Sequence, residues 1–229
     1  MTEQRAETVS WSNLPTRIGS ALVIALVVGV CLWFGGWVWV AAVGLMGARM
    51  LFEWMRMSGS ASLVWKAIGV AYVALPLAAM VGLRGGDVGL DAEGFRLAAF
   101  IILVVIAADA GAYFSGKSIG GPKLIPRLSP KKTWTGLGGG LALGGVVGGL
   151  LAELWRDDVY KGVTVGFALV VAAVAGDFLE SGFKRRFGVK DTGSILPGHG
   201  GVLDRADSHM AAFAVAALAL WIAPALSPV

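Results

Sequence analysis

The sequence predicts an all-α fold: a polytopic bundle of about seven transmembrane helices, with the N-terminus cytoplasmic and the C-terminus outside. Three observations predict it. Of 229 residues, 56% are hydrophobic and 15% are charged, where a soluble domain carries about 25% charged residues. The mean hydropathy is +0.74. The apolar residues fall in long runs, and about 20 such residues at 1.5 Å rise cross roughly 30 Å of hydrocarbon. The period-2 alternation of a membrane barrel is absent.

The first run, 18–34, is parted from the second, 37–54, by Gly35 and Gly36, which read as a tight hairpin between helices. The third, 62–82, ends at Arg84-Gly85-Gly86-Asp87. The fourth covers 96–114, the fifth 136–154, the sixth 162–181 and the seventh 209–226. This divides the chain into a scaffold of three spans, 1–95, and a C-terminal part, 96–229, whose polar loops at 115–135 and 182–208 are where any chemistry is expected. The fifth run carries Gly136, Gly140, Gly144 and Gly148, with Gly145 and Gly149 alongside. A stripe at four-residue spacing lets a neighbouring helix approach closely, so a homodimer is an expectation. The alternative is a phosphate-cradling loop, but the lysine and Ser/Thr of a P-loop do not follow.

Charge sets the orientation. With the N-terminus inside, fifteen lysines and arginines fall on the inner side and four on the outer. That bias places both polar loops in the cytoplasm. The pI near 9.4 then reflects topology and lipid-headgroup contact, and no nucleic-acid partner is expected. Cys31 is the only cysteine, which excludes an internal disulfide and any multi-cysteine metal site. Residues 1–16 are polar and no small-residue cleavage site follows the first run, so no cleaved signal is expected.

Three polar clusters interrupt the apolar sequence. Asp109 ends the fourth run, after a stretch (96–108) whose only charge is Arg96. An ionisable group at membrane depth is costly, so Asp109 either faces a polar cavity or reaches water and pairs with Lys117. The second cluster is Ser129-Pro130-Lys131-Lys132-Thr133-Trp134. Two ammonium groups beside two hydroxyls suit a phosphate, although a positive-inside loop alone would also carry lysines. The third combines Asp177 and Glu180, three apart and so on one helical face, with Lys184, Arg185, Lys190 and Asp191. It continues through Pro197-Gly198-His199-Gly200-Gly201 to Asp204, Arg205 and Asp207. Two carboxylate pairs at helix mouths suit Mg²⁺, which takes a few carboxylates, waters and substrate phosphates. Singly, each acid reads equally as a cap or a salt-bridging surface group. His199 is a general base, a metal ligand or a loop-holding residue; a phosphate monoester is already an anionic nucleophile, which favours the loop or nucleotide role.

This pattern resembles the phosphatidate cytidylyltransferase (CDP-diacylglycerol synthase) family. The family reads serine, Lys-Arg, Lys-Asp, Pro-Gly-His-Gly-Gly and Asp-Arg-x-Asp, and here Ser181, Lys184-Arg185, Lys190-Asp191, 197–201 and Asp204-Arg205-Ala206-Asp207 keep that spacing. The Asp109 cluster and Ser129-Pro-Lys-Lys-Thr133 also look like family elements, so the likeness covers roughly 105–210. Ala110 stands where members often have Thr, and Thr135 where they often have Glu.

The resemblance implies transfer of CMP from CTP to phosphatidic acid, at a cytoplasm-facing site of the inner (plasma) membrane, among membrane lipids. It implies Mg²⁺, in a two-metal site, held by Asp177 and Asp204 with Glu180 and Asp207 in support. The implied catalytic set is Asp177, Asp204, Asp207, Lys132 and Lys184. Binding of nucleotide and lipid phosphate falls to Asp109, Ser129, Lys131, Lys132, Thr133, Lys184, Arg185, Lys190, His199, Gly200 and Arg205. Two other readings stay open: a related CTP-dependent polyprenol kinase or other lipid cytidylyltransferase, and a membrane transporter. A transporter would place its acids within the spans, whereas here the polar residues gather in loops.

Overall fold

The computed structural model describes residues 14–90, 92–193 and 200–228. His199, with Pro197 and Gly198, lies outside the described residues. Seven helices follow in order: α1 (Leu14–Phe34), α2 (Gly36–Ser58), α3 (Leu63–Arg84), α4 (Glu93–Ser118), α5 (Trp134–Leu154), α6 (Val159–Arg186) and α7 (Leu203–Ile222). Five of them, α2 to α6, are long and apolar enough to cross a membrane. The apolar part of α1, Leu22–Phe34, is shorter, and the first two turns of α7 carry Asp204, Arg205, Asp207 and His209.

The expected loop at 115–135 is not wholly irregular. It holds an antiparallel hairpin, β1 (Lys123–Ile125) and β2 (Ser129–Thr133), with Lys123 opposite Thr133 and Ile125 opposite Ser129. Pro122, Pro126 and Pro130 keep this stretch out of helix. The all-helical expectation therefore needs one small hairpin added. Helices also outrun their apolar cores. α6 continues to Arg186 and α7 begins at Leu203, so the loop expected at 182–208 shrinks to 187–202. Lys184, Arg185 and Arg186 in the last turn of α6 complement the helix dipole, so charge extends that helix instead of ending it.

The α1–α2 hairpin forms around a buried cation. Arg84 is fully buried; its Nε donates to Leu32 O at 2.6 Å and its Nη2 to Trp33 O at 3.1 Å. The guanidinium thus satisfies carbonyls at the end of α1. Gly35 sits at φ +58°, and a Cβ there would stand 2.7 Å from that guanidinium.

α5 packs between α4 and α6, and the glycine stripe makes this possible. A Cβ on Gly140 would lie 3.1 Å from Ala108 O; one on Gly148 would lie 2.5 Å from Gly162 O, and the reverse also holds. The stripe is therefore filled by the chain's own helices and offers no face to a second copy. It is also continuous helix, which removes the phosphate-loop alternative. Phe100, Ile101, Leu169, Met210 and Phe213 fill the centre, while Trp37, Leu45, Leu75, Leu150 and Trp221 face outward, as lipid contact requires.

Candidate active site

One end of the bundle gathers the polar residues. β2 runs straight into α5 through Thr133, whose Oγ1 accepts from Gly136 N at 3.0 Å. Thr133 is thus a helix cap, and a second bond joins its hydroxyl to that of Thr135. The adjacent Lys132 crosses to α6 and pairs with Asp177, which also accepts from Ser208 Oγ on α7. Burial pushes the Lys132 ammonium below the ordinary lysine value, while the charges of Asp207, Asp109 and Glu180 act to raise it.

A second ion cluster lies on the next turn of α6. Lys184 Nζ stands 2.8 Å from Glu180 Oε2 and 3.0 Å from Asp204 Oδ1. Glu180 is buried, and its Oε1 has no hydrogen-bond partner among the described residues. Asp207 is also buried, with its Oδ1 accepting from Ser208 N at 2.9 Å. Asp204 accepts from Lys184, from Thr192 N to both oxygens, and from Gly201 N at 2.9 Å. The spacing of Asp177 and Glu180 does put both on one helical face, but each takes a different lysine.

The Lys132–Asp177 pair lines a cavity of about 560 Å³, together with Asp109, Tyr113, Lys117 and Lys131 over an apolar floor that includes Val170 and Ala173; Lys184, Glu180, Asp204 and Asp207 do not line it. That size fits a small-molecule site. Asp109 therefore lines a cavity whose wall is mostly apolar, with the charges of Lys117, Lys131, Lys132 and Asp177 around it. Ser129 sits opposite Ile125 in the hairpin and does not line the cavity. Arg185, Lys190 and Arg205 present exposed side chains at the same end. Gly200 adopts φ +81°, and a Cβ there would approach Asp204 Oδ2 to 3.2 Å.

The donor set accommodates Mg²⁺. Among the described residues, no three His, Cys, Asp or Glu groups close around one point, but Mg²⁺ needs only one or two carboxylates, with phosphates and waters completing its shell. The unpartnered Glu180 Oε1 is a hard oxygen ligand with a free lone pair, and Asp177 and Asp207 keep acceptor capacity beyond the bonds described, whereas each oxygen of Asp204 already accepts two, so Asp204 would have to exchange a donor for the ion.

Sequence reasoning missed Glu53, Thr192 and Ser208. Glu53 had a signal: it is an acid inside a predicted span, four residues after Arg49, and an ionisable residue there is a functional hypothesis by default. Thr192 and Ser208 carried no such mark.

The cytidylyltransferase family model matches residues 88–223, more than half of the chain and every carboxylate of the two clusters. The phosphatidate cytidylyltransferase of Brucella suis is 41% identical over 197 residues, covering 79% of this chain and 70% of the relative. The chain belongs to the cytidylyltransferase family. Other cytidylyltransferase relatives agree: the phosphatidate cytidylyltransferase of Rickettsia bellii is 34% identical, covering 90% of each chain. That of Pseudomonas aeruginosa is 38% identical, covering 94% of this chain and 74% of its own. The cytidylyltransferase match begins just before α4, so Glu53 falls outside it. Of the two departures from the family pattern, Ala110 does not line the cavity. Thr135 sits at the hairpin base, donating to Gly120 O.

Proposed function

We propose that the protein is a phosphatidate cytidylyltransferase of a cell's inner membrane: it transfers CMP from CTP to phosphatidic acid, releasing pyrophosphate. The observation that carries this reading is the Lys132–Asp177 pair in the wall of a cavity of small-molecule size, with the Lys184–Glu180–Asp204 cluster on the next turn of α6. Relatives that bear this activity in their names support it.

A phosphate oxygen of phosphatidate attacks the α-phosphorus of CTP. The new P–O bond forms as the bond to the bridging oxygen of the β-phosphate breaks, and pyrophosphate leaves with that electron pair. The attacking monoester is already anionic, so no base has to take a proton. The obstacle is repulsion between two anions. Lys132 and Lys184, fixed by their carboxylate partners, supply positive charge that needs no reorganisation. Lys131, Arg185, Lys190 and Arg205 extend the positive field toward the CTP phosphates and the lipid headgroup. Asp177 and Asp204 would hold Mg²⁺, in one or two ions, with Glu180 and Asp207 in support. When bound, Mg²⁺ neutralises phosphate charge and aligns the attack. The N-terminus lies in the cytoplasm and the C-terminus outside, so the site faces cytoplasmic CTP.

The test is a turnover assay in detergent–lipid micelles with phosphatidate, CTP labelled at the α-phosphate, and Mg²⁺. Label should enter a lipid product with release of pyrophosphate, and EDTA should stop both. Formation of CDP with a phosphorylated lipid would make the protein a kinase instead, and no transfer by a folded, CTP-binding sample would end the cytidylyltransferase reading.

A further inference from the structure

Glu53 lies on α2, outside the region matched by the family model, and is fully buried. A carboxylate in such a place is tolerated only if donors surround it. Each of its oxygens has two. Oε1 accepts from Val202 N at 3.0 Å and pairs with Arg49 Nη2 at 3.1 Å. Oε2 accepts from Leu203 N at 2.8 Å and from Thr192 Oγ1 at 3.2 Å.

Two of these donors are the first backbone N–H groups of α7. Val202, at the N-cap, has no side chain able to satisfy them. Glu53 therefore caps α7 from another helix, and its charge suits the positive end of the helix dipole. Thr192 links this cap to the site: its hydroxyl donates to Glu53, while its own N–H donates to both oxygens of Asp204, at 3.2 and 3.0 Å. Gly193 and Gly201 fit the same contact. A Cβ on Gly193 would stand 2.7 Å from Glu53 Oε1, and one on Gly201 2.7 Å from Oε2. The backbone of Gly201 approaches both this carboxylate and the Thr192 hydroxyl, which is the nearer of the two.

We propose that Glu53 is a positioning residue: through Thr192 and the start of α7 it sets the orientation of Asp204, and so couples the N-terminal helices to turnover. This rests on the catalytic reading of Asp204 given above. The variants Glu53→Gln, Glu53→Asp and Thr192→Val are compared with the parent protein in lipid micelles. The readouts are kcat, KM for CTP, and hydrogen–deuterium exchange.

In Glu53→Gln, the amides of 200–206 should exchange roughly tenfold faster while those of α4 and α5 stay unchanged. Its kcat should fall about 10- to 100-fold, as for residues that orient a ligand-bearing carboxylate, with KM for CTP moving less than about threefold. Glu53→Asp, which keeps the charge, should recover part of the kcat. Thr192→Val cuts only the bridge to Glu53, leaves the Thr192 amide on Asp204, and should also lower kcat. Unchanged kcat in a folded Glu53→Gln overturns the proposal. So does a loss accompanied by faster exchange across the whole bundle, which would mark Glu53 as merely structural. If Glu53→Gln does not fold, Thr192→Val decides alone, and native kcat there sinks the idea. If the parent protein transfers no cytidylyl group, the catalytic reading fails, while the exchange pattern at 200–206 still decides whether Glu53 holds α7.

Discussion

Replacing Lys184 by Met would strip a shared cation from two carboxylates at once. Lys184 Nζ lies 2.8 Å from Glu180 and 3.0 Å from Asp204, and the side chains are 16%, 2% and 10% exposed respectively. Asp207, also buried, lies beside Glu180. Solvent screens little at such exposures, so the cost is that of leaving a buried charge without its partner, about 3–5 kcal/mol. At about 2–4 °C per kcal/mol for a chain of this size, the melting temperature should fall by roughly 6–20 °C. Thermal unfolding in detergent, followed by the fluorescence of the nine tryptophans, reads this directly. The double variant Lys184→Met/Glu180→Gln removes one orphaned charge and should regain about half of the loss or more. Turnover should stay abolished in both, since the lysine is proposed to face phosphate. A Lys184→Met protein melting within about 2 °C of the parent, or a double variant no more stable than the single one, would refute the reasoning.

Asp177→Asn should lower turnover by about 10²–10³-fold with melting little changed, and parent-like turnover would remove Asp177 from the proposed metal set. Gly148→Ala places a Cβ against the carbonyl of Gly162 and should cost about 1–3 kcal/mol. Gly138→Ala, with nothing within 4 Å, should be neutral or gain up to about 1 kcal/mol from helix propensity; equal melting of the two variants would contradict this packing. Thr135→Glu gives up a bond to Gly120 O worth about 1 kcal/mol and gains about 0.3–1 kcal/mol of dipole interaction in the first turn of α5. Melting should hardly move and the Mg²⁺ requirement should stay put; a clear shift in the Mg²⁺ concentration for half-maximal rate would place position 135 at the metal.

The sequence made the apolar cores of the helices legible, because continuous hydrophobicity over a span is a local property. It did not reveal where each helix ends. The last turns of α4 and α6 carry Lys117, Lys184, Arg185 and Arg186, residues that read as loop on hydropathy yet stabilise a helix C-terminus. The motif paired Lys184 with Asp204 on neighbouring stretches of sequence, and the structure brings those two side chains together, with Asp177 on the preceding turns of α6. The longer-range partners were not legible, because Lys132 to Asp177 and Glu53 to Leu203 join segments far apart in sequence. Thr133 illustrates the same limit. Beside two lysines its hydroxyl reads as a phosphate contact, whereas the helix that begins one residue later claims it as a cap. The glycine stripe announced a close helix contact but not its partner, since periodicity fixes a face and says nothing of what covers it.

That contact bears on the site although it lies far from it. β2 passes into α5 without an intervening loop, and Thr133 belongs to both as last strand residue and cap. Where α5 sits therefore fixes where Lys132 sits. The lie of α5 against α6 is set by bare backbone, with Gly148 and Gly162 each too close to the other's carbonyl to admit a Cβ. From Gly148 to Thr133 is about 22 Å along the axis at 1.5 Å per residue. A side chain at Gly148 must push the helices apart by a good part of an ångström, and a helix is stiff enough to carry that tilt to its end. Lys132 would then move relative to Asp177, which is borne on α6 itself. An ion pair across two helices loses strength with such a shift, and catalysis is more sensitive to misplacement than folding is. The stripe is thus part of the site's geometry, and Gly148→Ala should lower turnover by more than its loss of stability alone would explain.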